Sequence, residues 1–165
     1  SCENQSRAEH GIPILLKAPF RHKGIMTAPL IGPIDLEPWL SSGAIEQVIA
    51  GGENYEGARP CHFEWITAIR TACMRYEVSF CFIETGTRFV KDGRSYHLPS
   101  KRLQSEMAWK SGMSYTGRPL LFRLSDRLGF ELADETLHQP RFGERCRCCG
   151  SRPICTGADA NGRCT

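Results

Sequence analysis

Short apolar, β-rich runs alternate with helix-like stretches over roughly the first 90 residues, the pattern of βα units feeding a parallel sheet. Residues 23–28 (KGIMTA), 45–50 (IEQVIA) and 79–84 (SFCFIE) read as strands. A fourth strand is expected to end at the first residues. Pro13 suits a first helical position, so a helical turn is expected over 13–18 and a second short helix over 35–40. The clearest helix is 62–76, where Phe63, Ile66, Ile69, Cys73 and Tyr76 recur three or four apart as one apolar stripe. Glu64 falls in its first turn, where a negative charge suits the helix dipole.

The rhythm stops after residue 90. Residues 91–94 (KDGR) read as a turn and 100–108 as a short helix. Residues 118–124 and 129–132 read as a small hairpin around Ser125-Asp126-Arg127. From Ala133 the chain is polar and then cysteine-rich. This divides it into 1–95, 96–140 and 141–165. The expected fold is α/β: half of a parallel β/α barrel, about four βα units, with a small C-terminal knuckle like a zinc ribbon. Four parallel strands cannot close a barrel, and parallel sheets need cover on both faces and at both edges. The expected partner is therefore a missing N-terminal barrel half.

Composition changes this picture little. Hydrophobic residues make up 41% and charged residues 24% of the 165 positions, as in ordinary globular chains. A net charge of +3 is too small to argue for nucleic acid without a local, dense basic stripe. No apolar run approaches a membrane span. The chain opens on Ser1-Cys2-Glu3-Asn4 with no signal peptide, and reads as the interior of a longer protein. Of nine cysteines, Cys2, Cys61, Cys73 and Cys81 are scattered, while Cys146, Cys148, Cys149, Cys155 and Cys164 crowd the end. A secreted disulfide scaffold would spread its bridges, so a cytoplasmic protein with a metal-binding tail is expected.

In parallel α/β folds chemistry gathers where strands end. Each expected strand end has a distinctive string: Cys2-Glu3-Asn4-Gln5, the segment 28–36, Gly51-Gly52-Glu53-Asn54 running on to Arg59-Pro60, and Glu84-Thr85-Gly86-Thr87. Glu3, Glu53 and Glu84 would share one mouth, where carboxylates bind a cationic or hydroxyl-bearing ligand or act as acid and base. The candidate binding residues are Glu3, Asn4, Gly51, Gly52, Glu53, Arg59 and Glu84. The plainer alternatives are a tight strand exit at Gly51-Gly52 and structural ion pairs between the glutamates and arginines such as Arg59. His62 and His97 read as a helix-start and a surface residue, Trp39 and Trp65 as packing residues, and Cys73 and Cys81 as buried, inert thiols. In the tail, Cys146-Arg147-Cys148-Cys149-Gly150 contains a C-x2-C pair followed by glycine. With Cys155 and Cys164 it can complete a four-thiolate zinc site. Arg145, Arg147, Arg152 and Arg163 flank it, able to touch phosphate or to offset thiolate charge.

The strings CENQ, APLIGPIDLEPWL, IAGGENYEGARPCHFEWITAIRTAC and FCFIETGTRFVKDG, over about residues 1–120, resemble the second half of the phage-associated radical-SAM-like barrel proteins. That resemblance implies an iron–sulfur cluster and S-adenosylmethionine held by a three-cysteine motif in the other half of the full-length protein. This chain contains no C-x3-C-x2-C, and has Ala28-Pro29 where many relatives have Glu-Pro. The expected role is the substrate-side rim of such a protein, the fragment alone being inactive. The alternative is a non-enzymatic module that binds nucleic acid or protein.

Overall fold

The computed structural model describes residues 1–119. The elements in chain order are α1 (Gln5–Lys17), β1 (Gly24–Thr27), α2 (Glu37–Leu40), β2 (Gln47–Gly51), β3 (Cys61–His62), α3 (Phe63–Arg75), β4 (Ser79–Glu84), β5 (Arg88–Lys91), β6 (Arg94–His97) and α4 (Lys101–Lys110). They build two three-stranded sheets, one ordered β1-β2-β4 and one ordered β3-β5-β6. The first is parallel throughout. In the second, β3 runs parallel to β5 and β6 antiparallel to it.

The core follows from strand alternation. Ile25, Val48, Ala50, Phe80 and Phe82 form the buried rows of the parallel sheet. Ala8 and Ile12 of α1, Leu40 of α2, Ile66, Ile69 and Cys73 of α3 and Ala108 of α4 join them in one cluster. The apolar stripe expected over 62–76 is thus the buried face of α3. His62 caps that helix with extended backbone, and Glu64 lies in its first turn. Trp39 and Trp65 pack partly buried against the core.

The barrel expectation is overturned. The parallel sheet has three strands, and its β4 edge is closed by antiparallel chain. Phe80 N donates to Tyr115 O, and Tyr115 N donates to Phe80 O, both at 2.8 Å. Instead of adding a fourth parallel strand, β3 leaves for the second sheet. Where a strand was expected at the chain start, the backbone makes one hydrogen bond to β1, Cys2 N to Met26 O at 2.8 Å. The chain then turns into α1, because Asn4 is a helix cap whose Oδ1 accepts from Arg7 N at 3.1 Å. That cap starts the helix well before Pro13, which lies inside it. No zinc ribbon is seen among the described residues. The expected hairpin over 118–132 and the cysteines Cys146, Cys149, Cys155 and Cys164 extend beyond or lie outside them.

One prominent element was not expected, the β5–β6 hairpin. Its turn is at Asp92-Gly93, with φ of 52° and 70°. Two consecutive left-handed residues make the tight turn that matches strand twist. The helix expected at 100–108 forms as α4, burying Gln104 and Ala108.

Candidate functional site

Parallel strands end on one side, so the exits of β1, β2 and β4 lie along a single edge. Backbone bonds link them in a row. Ile31 N donates to Glu3 O at 2.9 Å, Leu30 N to Gly51 O at 2.7 Å, and Gly52 N to Glu84 O at 3.0 Å. Between β2 and β4 the register skips Ile83, pairing Ala50 with Phe82 and Gly51 with Glu84. Such a bulge re-aims the side chain that follows it.

Gly51 and Gly52 are used by the protein itself. A Cβ on Gly52 would lie 2.4 Å from Thr85 O and 2.9 Å from both Cys61 Cβ and Gly86 Cα. One on Gly51 would meet Ile83 Cγ1 at 3.0 Å and Glu84 Cγ at 3.1 Å. The two strand exits cross with backbone almost touching backbone, which only glycine allows.

The three glutamates have separate partners. Glu3 accepts from Ser1 Oγ at 2.8 Å, the main reason its carboxyl is held below the ordinary range. Asn4 is spent capping α1. Glu53 is buried and encircled by its own loop. Its Oε2 accepts from Arg59 N at 2.7 Å, its Oε1 from Tyr55 Oη at 2.8 Å, and the Arg59 guanidinium closes on it through Nε and Nη2. Arg59, then Tyr55, outweigh burial and hold this carboxyl at about 2. Glu53 O also accepts from Thr87 N at 2.6 Å, tying the β2 exit to the β4 exit. Glu53 and Arg59 therefore order the rim as an ion pair.

Glu84 differs. Its side chain is 11% exposed. Both carboxylate oxygens face one donor, Asn54 Nδ2, at 3.2 and 3.1 Å. Among the described residues the nearest cation is Lys101 Nζ at 4.0 Å, on a side chain 74% exposed. Beside it, Thr85 N donates to Gln104 O at 3.4 Å. The Gln104 side chain donates to Leu98 O at 2.6 Å and Thr87 Oγ1 at 3.2 Å, leaving its Oε1 with no partner among the described residues. Asn54, Lys101 and Gln104 escaped the sequence reading. Asn54 stood in the quoted rim string, but Lys101 and Gln104 reach the rim only because α4 folds back on β4.

The cysteines among the described residues are dispersed. Burial pushes the Cys61 and Cys73 thiols up to about 12. Among the described residues no three His, Cys, Asp or Glu side chains gather as a metal site. The scattered, buried Cys2, Cys61 and Cys73 do not form the thiolate set that an iron–sulfur cluster needs.

These features define an α/β domain with a polar rim at the carboxyl ends of its parallel strands. The chain belongs to the family described as Protein of unknown function (DUF5131), whose model matches residues 1–137. No curated protein and no solved structure matches it. No helix among the described residues is long and apolar enough to cross a membrane.

Proposed function

We propose that the chain is a small-molecule-binding domain whose site is the β4 exit, with Glu84 as the ligand-directed group. The carrying observation is the mismatch at that carboxylate. It is almost fully buried, it is held by one neutral amide, and its nearest cation among the described residues stands at the 4.0 Å limit of an ion pair. A buried charge with so little compensation is costly, and a ligand ammonium group would offset that cost. Beside Thr85, the fully buried Oε1 of Gln104 has no partner among the described residues, a second unanswered polar group at this end of the rim. Asn54 positions the carboxylate, and the Glu53–Arg59 pair and the glycine crossing hold the rim in shape.

The radical-SAM-like resemblance supplies a concrete probe, since S-adenosylmethionine carries such an ammonium group. Isothermal titration of the 165-residue chain with S-adenosylmethionine should give saturable binding. An analogue with the α-amino group replaced by hydrogen should bind about ten-fold more weakly or worse, and Glu84→Gln should weaken the parent compound similarly. Absence of binding, or equal binding by the Glu84→Gln variant, overturns the assignment. In the tail, Cys146, Cys149, Cys155 and Cys164 are proposed to hold about one zinc per chain. Zinc content near zero in protein purified without chelator, or content unchanged by Cys146→Ser with Cys149→Ser, rejects that site.

A further inference from the structure

We infer that the β4-exit site takes a zwitterion, an α-amino acid head group whose ammonium meets Glu84 and whose carboxylate meets Lys101. The inference rests on the reading of Glu84 as the ligand-directed group, and adds a second binding residue and a ligand class to it. Lys101 Nζ stands 4.0 Å from Glu84 Oε2. The two side chains differ in kind: that of Glu84 is 11% exposed and that of Lys101 74%. One charge is fixed in the rim. The other is carried into water on a flexible four-carbon stem.

Charge balance selects the ligand class. Together Glu84 and Lys101 carry no net charge. A ligand bearing only an ammonium group would take Glu84 and leave Lys101 beside it, two like charges at close range. It would also exchange one cation for another at Glu84, with little gain. An anion bound to Lys101 alone would stand against Glu84 with the opposite fault. An α-amino acid carries both charges on one carbon. It can sit between the two side chains, ammonium towards Glu84 and carboxylate towards Lys101, so that every charge is paired. The existing contact resists this little. A direct N–H···O bond would be near about 2.9 Å, whereas this pair is held at 4.0 Å. The Lys101 stem lets Nζ draw back as the ligand enters.

The surrounding fold supports the same orientation. Lys101 is the first residue of the ten-residue helix α4. Thr85 N donates to Gln104 O at 3.4 Å, which ties the start of that helix to the β4 exit. The first turn of α4 has no acidic residue, and its cap Ser100 makes no side-chain bond. Lys101 therefore adds a cation where the helix dipole is already positive, an unfavourable placement for the helix alone. A carboxylate held there reverses the sign of that interaction. The rim's arginine cannot take this part, because the Arg59 guanidinium is closed on Glu53. Asn54 Nδ2 bonds both Glu84 oxygens, at 3.2 and 3.1 Å, and keeps the carboxylate in place for the ammonium.

The test is isothermal titration of the 165-residue chain with S-adenosylmethionine and with its decarboxylated analogue, which keeps the ammonium group. The parent chain should bind the analogue about ten-fold more weakly or worse. Lys101→Met should weaken S-adenosylmethionine about ten-fold and leave the analogue unchanged or tighter, so that the preference disappears. Glu84→Gln should weaken both compounds. Lys101 is exposed, so its variant should fold as the parent does, which circular dichroism checks. Two results overturn the zwitterion while leaving the Glu84 site standing. In one, the parent binds both compounds equally; in the other, Lys101→Met weakens both alike; in each, Glu84→Gln still weakens both. If neither compound binds, or Glu84→Gln changes neither, the Glu84 reading falls and this inference falls with it.

Discussion

The two sheets solve the problem of polar groups in opposite ways. In the parallel sheet, charged groups are confined to one end and answered at short range. Glu53 is closed by Arg59 and Tyr55, and Glu3 by Ser1; only Glu84 is left under-compensated. In the second sheet the charges line the strands themselves, all of one sign but for Asp92 at the turn. The lesson is that a charge's surroundings, rather than its presence, separate structure from function. The Glu53–Arg59 pair has every mark of a site in the sequence and holds up the loop. Glu84 is where the fold leaves a nearly buried charge incompletely answered, whereas the hairpin cations are exposed to water and Lys91 also lies over the Phe63 ring.

Matched glycine substitutions sharpen that contrast most. Gly52→Ala forces a Cβ to within 2.4 Å of Thr85 O, with backbone unable to yield cheaply. It should cost about 3 kcal/mol, read as a lowered urea midpoint. Gly93→Ala, at the hairpin turn, meets no atom within 4 Å and bears only the strain of φ +70°. Its cost should be about 1 kcal/mol. Equal costs at the two positions would mean that the strand-exit crossing is not close-packed.

Acid probes the same division. The Glu53 carboxyl is held at about 2, below the ordinary value near 4.3. A depressed folded-state value means its stabilisation is present above about pH 4.3 and is lost as pH falls towards 2. With the exposed Arg59 partner screened by water, the contribution should be roughly 1–3 kcal/mol. Urea unfolding at pH 6 and pH 3 should therefore separate the parent chain from Glu53→Gln at the higher pH and bring them closer at the lower. A gap that does not shrink removes the ion pair from the account. The smallest effect belongs to the hairpin. Arg88→Glu with Arg94→Glu should change stability by no more than about 0.5 kcal/mol, because both side chains are exposed and unpaired among the described residues.

Much of the parallel sheet was legible because its signals are local. Apolar runs placed β1, β2 and β4 to within a few residues, and the three-or-four spacing from Phe63 to Tyr76 placed α3. The barrel was not there to be read. Residues 23–84 repeat the βα rhythm, but whether a sheet goes on adding parallel strands depends on what covers its edge. Tyr115, which bridges Phe80 from 35 positions further along the chain, leaves no local trace. The hairpin was half legible. Asp92-Gly93 announced its turn, but β6, exposed at every position, has no buried face and so no apolar alternation to find. For the rim, Glu53 and Glu84 lie at strand exits as the sequence placed them, while Glu3 precedes α1 with no strand before it. Which one is answered and which is not depended on Arg59, Asn54 and α4 in three dimensions.

The central claim is that the β4 exit is the ligand site and Glu84 its directing group. It is tested most directly by amide-resolved NMR of the isotopically labelled chain titrated with S-adenosylmethionine. The account predicts that the ligand shifts Asn54, Glu84, Thr85 and Gln104 and spares Ser95 and His97. Shifts centred on the hairpin, or none at the β4 exit, would contradict it.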